Sequence, residues 1–92
     1  MHAPEVTLDQ TWLSKGMALT MLSRADEALR AYDQAIALNP NSAQAWFNKG
    51  VVLVNVQQKY REALSYLEQA ERLGSPQATA AIKQCKQLLG IN

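Results

Sequence analysis

The sequence predicts an all-α protein built from antiparallel helix-turn-helix hairpins, and three observations carry that reading. A block of residues recurs at fixed spacing, with Trp12, Lys15, Gly16 and Leu19 returning 34 residues later as Trp46, Lys49, Gly50 and Leu53. Within each block the apolar residues fall every three or four positions, the helical period, rather than alternating as in a strand. The blocks are separated by helix breakers, Asn39-Pro40-Asn41 and Gly74-Ser75-Pro76, because proline disfavours helix at the residue before it and glycine readily leaves it.

Taken in order, Thr7 with Gln10 three residues on has the form of a capping box and starts the first helix. Its apolar positions are Leu8, Trp12, Leu19 and Leu22, with Gly16 and Ala18 small among them, and Ser23 to Ala25 interrupts it. A second helix carries the stripe Ala28, Leu29, Tyr32, Ala35, Ile36 and Leu38 and stops at Asn39. Ser42 caps a third helix over 43–56. A fourth runs over 60–73 to Gly74. Glu27-Ala28-Leu29 and Gln34-Ala35 return as Glu62-Ala63-Leu64 and Gln69-Ala70 at a spacing of 35, so the second block holds one extra residue, placed in the turn around 57–59. A fifth helix over 76–89 starts with Ser75 as cap and Pro76 at its first position. Its apolar face is Ala78, Ala81, Ile82, Cys85, Leu88 and Leu89, and Gly90 ends it. The expected organisation is a flexible tail over 1–6 and one domain over 7–92.

This pattern resembles the tetratricopeptide repeat (TPR), whose signature is W-x2-L-G-x2-Y, then A-x3-F, then P. Trp12, Gly16, Ala28, Tyr32 and Pro40 match in the first unit, and Trp46, Gly50, Ala63 and Ala70 in the second. Leu19 and Leu53 replace the tyrosine, Leu67 stands at the phenylalanine position, and Pro76 is displaced. Lys15 and Lys49 replace the leucine before the glycine; their stems are expected to lie along apolar surface with the amines in water. The resemblance gives repeat one as 9–42, repeat two as 43–77 and a capping helix over 76–89. Carried on at the spacing of 35, Ala81 takes the tryptophan position, Cys85 the glycine and Leu88 the tyrosine.

The resemblance implies a right-handed α-solenoid whose first helices line a concave groove. The family's groove positions fall on Gln10, Leu13, Ser14, Met17, Thr20 and Met21, then on Gln44, Phe47, Asn48, Val51, Val54 and Asn55. On the fifth helix they fall on Thr79, Ile82, Lys83, Lys86 and Leu89. The implied partner is another protein, presenting an apolar peptide or amphipathic helix. Some family members clamp a C-terminal carboxylate, but Leu13 and Met17 stand where that clamp needs lysine and asparagine. Asn48 matches, Lys83 replaces an arginine only loosely, and a clamp is not expected.

Composition narrows the alternatives. Ninety-two residues suffice for one modest core. Nine basic against eight acidic residues leave no electrostatic footprint for nucleic acid or an anionic membrane. Val51 to Val54, the longest apolar run, is too short to span a bilayer. With no signal peptide evident and Cys85 alone, a reducing, cytoplasmic location is expected. Cys85 reads as a small buried hydrophobe and His2 as a residue of the tail, so no metal or cofactor is expected. Glu62, Glu68 and Glu71 read as a wet helix face, with Glu68 and Arg72 spaced to pair. No nucleophile, base and orienting group converge, so no enzyme is expected. Against the binding module stands a structural alternative. Leu13, Met17, Phe47 and Val51 are then partly covered by neighbouring helices, and the chain is a self-associating segment of a longer solenoid. The side of the first helix that faces away from the stack has no cap and is expected to dock another helix.

Overall fold

The computed structural model describes residues 7–91, and the expected tail over 1–6, His2 included, lies outside the described residues. Five helices follow one another: α1 (Leu8–Met21), α2 (Ala25–Leu38), α3 (Ala43–Asn55), α4 (Tyr60–Arg72) and α5 (Pro76–Leu89). α1 packs on α2, α3 on α4 and α4 on α5, while α2 and α3 join the two hairpins. The first helices α1, α3 and α5 touch in sequence, whereas α2 and α4 do not touch each other. Helices closed up on one side and splayed on the other bend the stack, and α1, α3 and α5 line its inner face. This is the tetratricopeptide-like solenoid that the repeat implies.

The helix ends show how local chemistry closes the turns. α1 stops because Ser23 takes a left-handed φ of 61°, which lets Arg24 N–H reach Leu19 O (2.9 Å) and Ser23 N–H reach Thr20 O (3.1 Å). Those two bonds form a Schellman motif. Gly74 and Gly90 end α4 and α5 the same way, with φ of 101° and 76°. At the end of α3, Gln58 takes the left-handed position (φ 54°) and Lys59 N–H reaches back to Leu53 O (2.9 Å). That bond spans one residue more than its counterpart from Arg24 to Leu19, so the extra residue of repeat two sits inside this turn, where its spacing placed it. Ser42 caps α3 as expected, its hydroxyl accepting from Ala45 N–H at 3.3 Å. Thr7 and Ser75 occupy N-cap positions without a side-chain cap bond, so the Thr7–Gln10 capping box does not form. Instead the Thr11 hydroxyl donates to Thr7 O. Thr7 and then the Asn39 amide, 3.1 Å from Asp9 Oδ2, hold the Asp9 carboxyl below its ordinary range.

The core forms in two clusters, one where the first hairpin meets α3 and the other among α3, α4 and α5. Leu19, Ala28, Ala31, Tyr32 and Val52 make the first; Leu53, Val54, Ala63, Leu67, Ile82 and Cys85 make the second, and Leu29 packs against both. The repeated alanines 28, 35, 63 and 70 are fully buried, which brings the helix backbones close. Leu8, Leu22, Leu38 and Leu88, read as core-facing, are exposed. Leu8, Leu22 and Leu38 sit at helix ends, and Leu88 is in the last turn of α5, where no other helix covers it among the described residues. The Glu68–Arg72 pair is not made; Arg72 instead donates through Nε and a terminal nitrogen to Gln69 Oε1, at 3.1 and 2.8 Å. Lys49 also departs from expectation. It is buried, its ammonium paired with Asp33 of α2 and lying 4.2 Å from the Tyr66 ring centre. Lys15 does behave as expected, exposed with its amine 5.1 Å from the Trp12 ring centre.

Candidate functional site

Two adjoining cavities run along the inner face and share Val51. The first, about 190 Å³, lies between α1 and α3 and is lined by Met17, Thr20, Met21, Tyr32, Asn48, Val51 and Val52. Its floor is Tyr32, held by the Thr20 hydroxyl at 3.1 Å, which in turn donates to Gly16 O at 2.9 Å. Burial raises the Tyr32 phenol, and the Thr20 and Asn48 side chains pull it partly back. The second cavity, about 270 Å³, lies between α3 and α5 and is lined by Phe47, Val51, Val54, Asn55, Leu67, Gln77, Ala80, Ala81 and Gln84. Neither cavity has a charged lining residue. The walls are apolar, and amides stand along them: Asn48, Asn55, Gln77 and Gln84, with Gln44 donating to Asn48 Oδ1 at 2.7 Å.

Of the groove positions expected from the sequence, Met17, Thr20, Met21, Phe47, Asn48, Val51, Val54 and Asn55 come together here. Met17 and Met21 are 46% and 86% exposed, open to a ligand, while Phe47 and Val51 are half-buried and Val54 is buried. Leu13 is half-buried against the first core cluster, so its role is packing. Gln10 and Ser14 are exposed on α1 and line neither cavity.

The fifth helix requires a correction of register. Thr79, Ile82, Lys83 and Lys86 do not face the groove; with Glu71, Gln87 and Ile91 they line a separate cavity of about 410 Å³ beyond α4 and α5. Leu89 is half-buried and lines none of these cavities. The groove face of α5 is Gln77, Ala80, Ala81 and Gln84. These stand 33 residues after Gln44, Phe47, Asn48 and Val51. The caps carry the same offset, Ser42 to Ser75, and so do the fully buried Ala45 and Ala78. The link into α5 is thus two residues shorter than a spacing of 35 assumes. Cys85 then takes the place of buried Val52, and Lys83 that of Gly50. Among the described residues no helix packs on that face, and Lys83 is exposed there. Cys85 is fully buried, its thiol donating to Tyr60 O at 3.1 Å and pushed up by burial, which suits a packing residue and not a nucleophile.

With this geometry in view, the comparisons are specific. Residues 13–78 match the model of the family described as tetratricopeptide repeat. A stretch of 66 residues aligns with protein O-mannosyl-transferase TMTC1 of Mus musculus at 33% identity, covering 72% of this chain and 7% of that protein. The human protein of that name aligns over 66 residues at 35% identity, again over 7% of its length. The chain belongs to the tetratricopeptide repeat family, whose repeats generally mediate protein–protein interactions. Among the described residues no helix is long and apolar enough to cross a membrane.

Proposed function

We propose that the protein holds an uncharged, largely apolar segment of a partner protein along the α1–α3–α5 face. The observation that carries this reading is the groove's lining: Met17, Met21, Phe47 and Val51 supply apolar surface, amides supply hydrogen bonds, and no charged group intrudes. A main chain presents one donor and one acceptor per residue, which side-chain amides of Asn48, Asn55, Gln77 and Gln84 match in kind. Rigid stacked helices hold that surface ready and limit the ordering cost of binding. In this reading the protein is non-catalytic, and its unpaired thiol suits a reducing compartment such as the cytoplasm. The overlap with a mannosyl-transferase covers too little of that enzyme to bring its activity into the proposal.

Selection of displayed peptides against the full chain tests it. Selected peptides are expected to be poor in charge, to bind with affinity nearly independent of salt, and to be lost on Met17→Glu. Met17 is exposed, so that variant keeps the helical fold. Peptides dominated by acidic or basic residues, or a Met17→Glu protein that binds as well as the parent, sink the groove reading.

A further inference from the structure

The described residues hold sulfur at Met17, Met21 and Cys85, and the fold treats these residues in opposite ways. Cys85 is fully buried, its thiol donating to Tyr60 O at 3.1 Å. Burial keeps that thiol protonated, whereas the thiolate is the form that attacks an oxidant. Met17 and Met21 are instead 46% and 86% exposed. They stand one helical turn apart on α1 and line the same cavity of about 190 Å³. The rest of that lining, Thr20, Tyr32, Asn48, Val51 and Val52, carries no sulfur, and neither does the adjoining cavity around Phe47. Among the described residues, the sulfurs open to an oxidant therefore both lie on one wall of the groove.

We propose that Met17 and Met21 form a reversible oxidation site, and that hydrogen peroxide closes the groove to its uncharged partner segment by converting them to sulfoxides. The switch rests on the groove being the binding surface. In each step a thioether lone pair attacks one peroxide oxygen, the S–O bond forms and the O–O bond breaks. The proton on the transferred oxygen passes to the departing hydroxide, which leaves as water; sulfur is oxidised and the peroxide reduced. The product keeps the length of methionine but carries a strong S=O dipole on a side chain that was apolar. Laid under an apolar segment, that oxygen gives up its hydrogen bonds to water, and neither cavity has a charged lining group to compensate. The fold has little to lose, because both side chains already stand in water and neither belongs to a core cluster. Oxidation therefore acts on binding and spares the helices. A methionine sulfoxide reductase, with a dithiol as electron donor, returns the thioether and reopens the groove.

The test uses the full chain and one labelled, methionine-free peptide selected on its reduced form. The chain is treated with hydrogen peroxide, which is removed before the peptide is added. Mass spectrometry of proteolytic fragments maps the added oxygen, fluorescence anisotropy reads affinity and circular dichroism reads helicity. Oxygen is expected on Met21 first and Met17 next, following their exposure, with Cys85 unmodified. Affinity is expected to fall about tenfold at unchanged helicity, the scale of one polar group left without partners at a desolvated contact. Sulfoxide reductases of both stereospecificities, supplied with dithiothreitol, are expected to restore it. A chain carrying Met17→Leu and Met21→Leu is compared with itself before and after peroxide. Its affinity, whatever the starting value, is expected not to respond, although Met1 and Cys85 remain. A reduced chain that binds no uncharged peptide overturns the groove and the switch together. Equal binding by the reduced and oxidised chains overturns the switch alone. So does an equal response of the leucine variant, which places the effect at another residue, or helicity lost in step with affinity, which makes the effect unfolding.

Discussion

The ring of Tyr32 fills the space that a side chain on Gly16 would need: a Cβ there would stand 2.5 Å from Cε1 and 2.7 Å from Cδ1. The second repeat makes the same contact with Leu67, whose Cδ2 and Cγ would lie 2.7 and 2.8 Å from a Cβ on Gly50. Alanine in a helix interior ordinarily gains about 1 kcal/mol over glycine. Overpacking a tight core costs about 1–3 kcal/mol, and both ring and leucine are fully enclosed. The second effect wins. Gly16→Ala is expected to destabilise by roughly 1–2 kcal/mol in urea unfolding, and Gly50→Ala somewhat less, because a leucine end shifts more readily than a ring. In a Leu67→Ala background Gly50→Ala is expected to be neutral or stabilising. An additive cycle at 50 and 67 would refute the close-approach account.

Two turns hold non-glycine residues in the left-handed region, Ser23 and Gln58. The left-handed conformation costs an L-residue about 1–2 kcal/mol, against which glycine loses about 0.5–1 kcal/mol more in chain entropy on folding. Ser23→Gly and Gln58→Gly are each expected to stabilise by roughly 0.5–1 kcal/mol, seen as a raised thermal midpoint. Gly74→Ala, at φ 101° with open space around it, is expected to lower the midpoint for strain alone. Unchanged midpoints for all three would mean that the left-handed φ at these turns carries no cost for a side chain.

Asp33 and Lys49 form an asymmetric pair: the lysine side chain is 11% exposed and the aspartate 51%. Loss of the aspartate strands a buried ammonium, whereas loss of the lysine returns a carboxylate to water. Asp33→Ala is therefore expected to cost about 1–3 kcal/mol, and Lys49→Leu to be within about 1 kcal/mol of neutral. Burial alone would push the Lys49 ammonium down, but Asp33 and Tyr66 outweigh it and hold it above its ordinary value. A raised lysine contributes stability that is complete below the unfolded value of about 10.4 and is lost as pH climbs through the folded one. Wild type is expected to lose stability above that value more steeply than Lys49→Leu. Parallel profiles would remove Lys49 from the account.

Most of the fold was legible because hairpin packing is local and repeated. The glycines and alanines recur at the spacing of the helices they allow together, and the extra residue of repeat two shows in the spacing before it shows in the turn. What the sequence hid depends on neighbours. The Lys49–Asp33 pair joins different hairpins, and a lysine at a leucine position carries no mark of its partner. Leu8 and Leu22 have the same period as core leucines, but they stand at the two ends of α1, past the stretch that α2 covers. On α1 and α3, eight of the expected groove positions line the two cavities, while Gln10, Leu13, Ser14 and Gln44 do not. Those of α5 were misplaced because α5 has no tryptophan and its register was carried from the spacing of α4. The Ser75-Pro76 cap, set against Ser42, was the signal that places them.

That register is open to a direct check. If the groove face of α5 is Gln77, Ala80, Ala81 and Gln84, a charge at Ala80 or Gln84 enters an uncharged cavity beside Phe47 and Val51. Both residues are exposed, so neither substitution should unfold the helix. Ala80→Glu and Gln84→Glu are each expected to weaken a groove-selected peptide by about tenfold, the scale of an uncompensated charge at a desolvated contact. Lys83→Glu and Lys86→Glu alter the cavity on the far side and are expected to leave that affinity within about twofold. Fluorescence anisotropy with one labelled peptide decides between the two faces. The reverse order of effects would restore the register carried at 35 and with it Ile82, Lys83 and Lys86 as groove residues.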